Sequence, residues 1–171
     1  MSVDPRSANG VKPARFRELM GRLAGGITVV TTVARDGTPR GLTATAVCAV
    51  SLSPPLVLVC LGTDTQTCQA IRDTRLYALN FLHDAGRTLS DRFASSINDK
   101  FRGVEWAPGP GGCPILEQTL GWAECEVEQE VEAGDHAILV ARLVAGDLRD
   151  TGRGPLLHYR GLYHSSARVD E

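Results

Sequence analysis

The sequence predicts a mainly β protein with peripheral helices, folded as a closed or nearly closed antiparallel β-barrel. About six β-rich segments follow one another along the chain, and most of them are joined without a crossover helix. Parallel strands need such crossovers, so the pattern favours antiparallel pairing. The chain has 171 residues, of which 43% are hydrophobic and 22% charged, and this suits one globular domain with its own core.

The N-terminal part of the chain predicts a tail, a helix and a strand. Residues 1–12 are polar and rich in small side chains, which is typical of a loose tail. A β-branched strand is expected at 27–34, and Asp36–Gly37 after it is a hairpin turn signal. Before that strand, Gly25–Gly26 should end a helix whose apolar side chains recur at helical spacing, namely Phe16, Leu19, Met20 and Leu23.

The next segment, "LTATAVCAVSLSPPLVLVCL", predicts two strands. They should be joined near Ser53–Pro55, because consecutive prolines cannot lie in a central ladder. A short helix is expected at 64–74, with Asp64 or Thr65 as its N-cap. Another strand follows at 75–82.

The following residues predict a helix and a loop before the last strands. Residues 84–102 have a helical pattern that breaks near Ser95–Asn98, and 107–114, "APGPGGCP", has the composition of a loop. At the end of the chain, "PLLHYRGLYH" predicts a short strand and a turn.

Two long strands are predicted at 119–131 and 135–147. The first should have a core face of Ala123, Cys125, Val127 and Val131 and a solvated face of Glu124, Glu126, Glu128 and Glu130. The second should have one purely apolar face, formed by Ala137, Leu139, Ala141, Leu143 and Ala145. His136 begins the opposite face of that second strand, so it points to solvent, to an interface or into a pocket.

Composition argues against several classes of function. The net charge is −2, which provides no electrostatic footprint for nucleic acid or an anionic membrane. The N-terminus has no signal-peptide pattern, and the longest apolar run, at 56–61, is too short to span a bilayer. The five cysteines lack metal-binding spacing and predict reduced thiols in a cytoplasmic protein. The four histidines are scattered, so no metal site is expected.

Three features could bind a ligand, and each also has a structural explanation. Thr43 and Thr45 alternate with alanines, which would let a flat ligand approach the backbone or would simply fill a tight barrel. The segment 62–67, "GTDTQT", joins a strand end to a helix start and could bind a phosphate or only cap the helix. His136 follows Gly134 and Asp135, which could turn the chain and orient the ring, although a lone histidine at a strand start is more often structural or exposed than functional.

Taken together, the motifs resemble those of the short-chain NAD(P)H:flavin oxidoreductases, which serve as the reductase components of two-component flavin-dependent monooxygenases. The run at 41–61 carries the resemblance together with "TDTQTCQAI", "YALNFL", "LSDRFA", "DKF", "GDH" and "PLLHYRGLY". The resemblance covers residues 14–165 and leaves tails at 1–13 and 166–171. The segment "RFA…DKF" is similar to the reductases of actinomycete aromatic-polyketide hydroxylases. The family fold is the antiparallel FMN-binding split β-barrel, a homodimer.

The resemblance implies binding roles but no catalytic acid or base. The flavin ring and ribityl chain would lie along Thr43, Ala44, Thr45 and Ala46 and beside Cys60, Leu61 and Gly62. The phosphate would be held by Thr65, Thr67, Arg92, Phe93 and Lys100. The nicotinamide site would include His136, Tyr159, Arg160 and Tyr163. Ala46 departs from the family, which usually has a serine there.

The implied activity is reduction of free FMN or FAD by NADH or NADPH through hydride transfer to flavin N5. The reduced flavin would then reach a separate monooxygenase by diffusion. A non-catalytic flavin- or haem-binding split-barrel module is the alternative, because one fold hosts several functions. A pyridoxamine-phosphate-oxidase-like enzyme fits less well, because "GDH" and "SLSPPLVLV" follow the reductase pattern.

Overall fold

A computed structural model describes residues 10–166 of the chain. The three helices described are α1 (Pro13–Met20), α2 (Gln66–Thr74) and α3 (Arg87–Ala94). The strands are β1 (Gly25–Gly26), β2 (Thr28–Val33), β3 (Pro39–Ala44), β4 (Val47–Ser51), β5 (Leu56–Gly62), β6 (Leu76–Leu82), β7 (Trp106–Pro108), β8 (Pro114–Leu116), β9 (Thr119–Ala133), β10 (His136–Leu148), β11 (Leu156–Tyr159) and β12 (Leu162–Ser165). Of the predicted tails at 1–13 and 166–171, residues 1–9 and 167–171 lie outside the described residues.

Seven strands form one sheet, in the order β3-β2-β6-β9-β10-β5-β4. Strands β3 and β4 stand at opposite edges of this sheet, yet only Thr45 and Ala46 join them along the chain. The sheet must therefore curl until its two edges meet, as a barrel does. Every strand pair in residues 10–166 is antiparallel, and no β3–β4 ladder closes the sheet there. This confirms the predicted mainly β, split-barrel class.

The curled sheet encloses the main hydrophobic core. Strand β10 contributes Ala137, Leu139 and Ala141, all fully buried, which confirms the first part of its predicted apolar face. Leu143 and Ala145, the rest of that face, are only half-buried. Helix α2 closes one side of the core with Cys68 and Ile71, also fully buried. Burial of apolar surface stabilises a fold by about 25 cal/mol per Å² removed from water. The shared core is therefore the main source of the stability that holds the strands of the site in place.

The start of the domain differs from its prediction. Helix α1 ends at Met20, and Gly25–Gly26 forms strand β1, paired with β11, instead of stopping a helix. The apolar side chains of α1 are also exposed, with Phe16 at 57% and Leu19 at 48%, so this helix does not pack on the described core. A glycine pair can mark a helix end or a close backbone approach, and here Gly25 lies against Thr45.

Two segments in the second half of the chain also differ from their predictions. The segment after α3 is less helical than predicted, and the predicted loop at 107–114 is more regular. Helix α3 ends at Ala94, at the predicted break, and residues 95–105 continue as a loop. Parts of the predicted loop at 107–114 pair as the short ladder of β7 and β8. The C-terminal segment forms two strands, β11 and β12, which join β1 in a separate three-stranded sheet.

The predicted faces of β9 are partly wrong. Glu124 is fully buried, not solvated, because the loop from Gly109 to Cys113 folds over it. Val131, assigned to the core face, is 41% exposed near the end of the hairpin. That hairpin turns at Gly134, whose φ of +66° favours glycine. None of the helices in residues 10–166 is long and apolar enough to cross a membrane.

Candidate flavin site at the barrel seam

The main candidate site is a cavity of about 490 Å³ where the two sheet edges meet. We call it the seam cavity; it is lined by residues 42–46, 60–62, 65, 93–95, 100 and 136. Its walls are the end of β3, the end of β5, the end of α3 and the start of β10. The volume lies in the range of roughly 300–1,000 Å³ that is typical of small-molecule sites.

One wall of the seam cavity offers backbone groups to a ligand. Thr45 and Ala46 are exposed and lie between β3 and β4, outside both strands. The carbonyl oxygen of Ala46 accepts a hydrogen bond from the Cys60 N–H at 3.0 Å, which ties the two walls together. Because the side chains here are small, a flat ligand can approach this backbone closely. Burial raises the pKa of the Cys60 thiol, so this cysteine is a lining group and not an activated nucleophile.

Thr43 joins the seam cavity to α3. Its hydroxyl donates to the Ser90 carbonyl oxygen at 2.7 Å, so its proton is committed to the helix. Phe93 of the same helix is fully buried and packs so closely on β3 that a Cβ added at Gly41 would lie 2.7 Å from its Cε1. The glycine at 41 therefore sets the depth at which α3 forms the cavity wall.

Thr65 is the N-cap of α2, as one of the two predicted alternatives stated. Its hydroxyl donates to the Gly62 carbonyl oxygen at 2.8 Å and accepts from the Cys68 N–H at 3.2 Å. Thr67 is buried inside the helix. The two hydroxyls are thus less available to a phosphate than the sequence suggests. The free donors at this point are the backbone N–H groups of Gln66 and Thr67, because the first turn of a helix has no partners for them.

Lys100 supplies the positive charge of the site. Its ammonium group donates to the carbonyl oxygens of Phe93 at 2.8 Å and Gly41 at 3.3 Å. An ammonium group has three donors, so one remains for a ligand. Burial lowers the pKa of Lys100, and an anion beside it would oppose that effect.

Arg92 lies outside the seam cavity, although the sequence pattern groups it with the phosphate-binding residues. Its guanidinium group donates to the carbonyl oxygens of Lys100 at 2.6 Å, of Asp99 at 3.5 Å and of Arg102. Those bonds fold residues 99–102 around the arginine. The contribution of Arg92 in this structure is therefore to hold the loop that carries Lys100.

His136 lies at the rim of the seam cavity, opposite Gly62 in the β5–β10 ladder. Its Nδ1 is 2.7 Å from Oδ1 of Asp135, and its side chain is half exposed. A carboxylate only accepts, so Nδ1 carries the proton, and the contact with Asp135 leaves Nε2 without a partner among the side chains of residues 10–166. The hydrogen bond from His136 lowers the pKa of the Asp135 carboxyl. The Asp135 carbonyl oxygen accepts from the Thr63 N–H at 3.1 Å, which fixes the turn.

The structure does not bring the three C-terminal candidates into the seam cavity. Tyr163 lies behind α3, where its hydroxyl donates to Asp91 at 2.5 Å and is 3.1 Å from the Ser90 Oγ. Tyr159 stacks edge-on against His164 in the β11–β12 hairpin. Arg160 lies in the turn of that hairpin with a φ of +52°, and its N–H donates to the Gly21 carbonyl oxygen at 2.8 Å.

Some lining residues were not predicted. Leu42, Ala94 and Ser95 line the seam cavity, and Ser95 lies where the helical pattern was expected to break. A predicted helix end, together with a strand of small residues, is a sequence pattern that could have indicated this cavity wall. No group of histidine, cysteine, aspartate or glutamate side chains among residues 10–166 has the arrangement of a metal site.

Comparisons with known proteins identify the family. The family described as "Flavin reductase like domain" matches residues 20–167. The chain belongs to this flavin reductase-like family. It is 42% identical over 150 residues to the flavin reductase (NADH) of Kitasatospora aureofaciens, which covers 86% of this chain and 78% of that protein. It is 35% identical over 158 residues to the reductase subunit HsaB of a flavin-dependent monooxygenase of Rhodococcus jostii, covering 92% and 80%.

Solved flavin reductase structures have the same fold. An NADH:FAD oxidoreductase of Streptomyces globisporus, in complex with NAD and FAD fragments, superposes with a TM-score of 0.87 at 30% identity. The superposition covers 96% of this chain and all of that one. A flavin phosphate fits at the edge of the seam cavity, because Lys100 and Thr65, the N-cap of α2, lie together in its wall.

Proposed function

We propose that this protein reduces free flavin, FMN or FAD, with NADH or NADPH and supplies the reduced flavin to a separate monooxygenase. The observation that carries the proposal is the seam cavity, which combines exposed backbone at Thr45 and Ala46 with the half-buried ammonium group of Lys100. The curated relatives named as flavin reductase and as reductase subunit support it.

The chain's own residues bind and orient the two reactants. When bound, the flavin accepts a hydride from the reduced nicotinamide, and this transfer needs no protein acid or base. The backbone at Thr45 and Ala46 holds the ring, Lys100 and the start of α2 hold the phosphate, and His136 positions the nicotinamide. Holding two rings in a reactive arrangement is itself a large part of the rate enhancement.

The activity is tested by mixing the purified protein with each flavin and each reduced nicotinamide in air, and following the absorbance of the nicotinamide. We expect oxidation well above the rate without protein for at least one pair. Flavin binding with no oxidation above background would contradict the proposal and favour the non-catalytic flavin-binding module. Haem binding without flavin binding would favour the haem-binding version of that module.

We predict that replacing His136 by alanine raises the KM for the nicotinamide about two- to tenfold, the loss of one net hydrogen bond. The flavin Kd should stay within about twofold, because Lys100 and the backbone contacts remain. Steady-state kinetics and flavin titration measure the two quantities. His164→Ala, an exposed histidine of β12, is the matched control. An unchanged KM in His136→Ala would remove the positioning role.

The proposed partners are a second copy of this chain and a monooxygenase. Exposed apolar side chains on β4, β10 and the turn after β4 suit a protein interface, and they are Val50, Leu52, Val144 and Leu148. Sedimentation equilibrium should give twice the 18.3 kDa of one chain, and a single-chain mass at all concentrations would contradict the dimer.

Transfer of reduced flavin by diffusion predicts that the protein supports an unrelated flavin-dependent monooxygenase, and failure to do so would indicate direct transfer.

The proposed location is the cytoplasm. All five cysteines lie within residues 10–166 and are free thiols there, which suits a reducing compartment. Cell fractionation tests this assignment, and recovery of the protein outside the cytoplasm would overturn it.

A further inference from the structure

A second cavity, of about 330 Å³, adjoins the seam cavity. We call it the outer cavity; it is lined by residues 38–42, 65–67 and 95–101. The two cavities share Leu42, Thr65, Ser95 and Lys100 in their walls. Lys100 and the start of α2, at Thr65, are the groups that the proposed function assigns to the flavin phosphate. A ligand with its phosphate there would have further space directly beyond that phosphate.

The wall of the outer cavity is held in place by the surrounding structure. Arg92 binds three carbonyl oxygens of residues 99–102 from behind. Phe101 packs edge-on against Phe93, with 5.0 Å between ring centroids, and is itself nearly buried. Asp99 accepts a hydrogen bond from the Arg102 N–H at 3.1 Å. These contacts hold the loop that forms this wall of the outer cavity.

The groups that face the outer cavity suit a nucleotide. Arg40 is half-buried and belongs to no ion pair among residues 10–166, so its guanidinium group can bind a second phosphate. Pro39 and the 47%-exposed Ile97 offer apolar contact to a planar base. Gln66 and Asn98 offer amide groups that can bond a ribose or a base edge.

We propose that the outer cavity binds the adenylate half of FAD, so that this protein prefers FAD to FMN. The proposal rests on the proposed function, because it takes the flavin phosphate to lie at Lys100. FMN ends at that phosphate and leaves the outer cavity unfilled. FAD continues with a second phosphate, a ribose and an adenine, which match Arg40, the amides and the apolar wall.

The test is calorimetric titration of the protein with FAD, FMN and riboflavin. Wild-type protein should bind FAD about tenfold or more tightly than FMN, as expected for one additional charge-assisted contact. Arg40→Gln should weaken FAD binding about tenfold and change FMN binding less than about twofold. Arg35→Gln, on the same hairpin and 74% exposed, is the matched control and should change neither. Equal wild-type affinity for FAD and FMN, or equal loss of both in Arg40→Gln, would overturn the proposal.

A second variant guards against a folding defect at Arg40. Ile97→Asp adds a negative charge at an exposed loop position, so it should weaken FAD binding and spare FMN. If these variants instead raise only the KM for NADH or NADPH, the outer cavity serves the nicotinamide dinucleotide and the proposal is wrong. Titration does not depend on turnover, so a failure of the reductase assay with normal FAD preference would count against the proposed function alone.

Discussion

Replacing Lys100 by methionine is expected to weaken FMN binding about 10- to 100-fold. The ammonium group is half-buried, and its two carbonyl partners leave one donor for the flavin phosphate. A hydrogen bond to a charged group contributes about 1.5–3 kcal/mol, and about 1.4 kcal/mol corresponds to tenfold in Kd. Methionine keeps most of the apolar stem, so the loss reports the charge. Fluorescence titration with FMN measures the change.

Riboflavin makes this prediction specific, because it lacks the phosphate. Its affinity should stay within about twofold in Lys100→Met. The sequence has only one other lysine, Lys12, which is exposed before α1, and Lys12→Met is the matched control. Equal losses for FMN and riboflavin would mean that Lys100 shapes the cavity without contacting the phosphate.

The pH dependence of FMN binding follows from the same lysine. Burial lowers the pKa of Lys100 in the protein without ligand. The phosphate favours the charged form, so bound flavin raises that pKa. FMN affinity is therefore greatest below the lowered pKa and falls as the pH rises through it. Riboflavin titrated over the same alkaline range should not show this fall, and neither should FMN with Lys100→Met.

The barrel itself could be predicted from periodicity, because each strand of the curled sheet carries its own pattern. The alternation of β10 identifies Ala137, Leu139 and Ala141 as core residues without any tertiary information. The N-cap at Thr65 also follows from local chemistry. These features depend on neighbouring residues in the chain, and a sequence records such neighbours directly.

The site could be predicted only in part, because it is formed where distant segments meet. Thr45 and Lys100 share a cavity only because the sheet curls and α3 packs on Gly41. Arg92 and Lys100 carry the same charge in the sequence, yet only Lys100 faces the seam cavity. Which cation faces the ligand depends on the fold of loop 95–105, for which local periodicity gives no signal.

Glu124 is the clearest example of a tertiary contact that overrides a local pattern. Alternation places it with the exposed glutamates of β9, but the loop after β7 covers that end of the strand. A Cβ added at Gly109 would lie 2.6 Å from the Glu124 carboxylate, so the glycine-rich loop can approach because it has no side chain there. A glycine-rich loop ahead of a strand glutamate is a signal that could have indicated this contact.

Glu124→Ala is expected to lower the free energy of unfolding by about 3–5 kcal/mol, the combined cost of a cavity and of buried donors left unpaired. The carboxylate accepts from the Gly111 N–H at 2.7 Å and from the Cys113 N–H at 2.9 Å. Without it, both donors remain in a region closed to water. Equilibrium unfolding in urea at neutral pH measures the loss.

Two further variants separate the buried contact from the charge. Glu124→Gln keeps the shape but turns one acceptor into a donor that faces another donor, so it should cost about 1–3 kcal/mol. Glu128→Gln removes a glutamate from the exposed face, where it pairs with Arg142 at 3.0 Å, and should cost at most about 1 kcal/mol. If all three variants lose the same stability, the loop does not depend on Glu124. A loss of stability that is largest for Glu124→Ala and smallest for Glu128→Gln would show that the buried carboxylate holds the loop after β7 against the barrel.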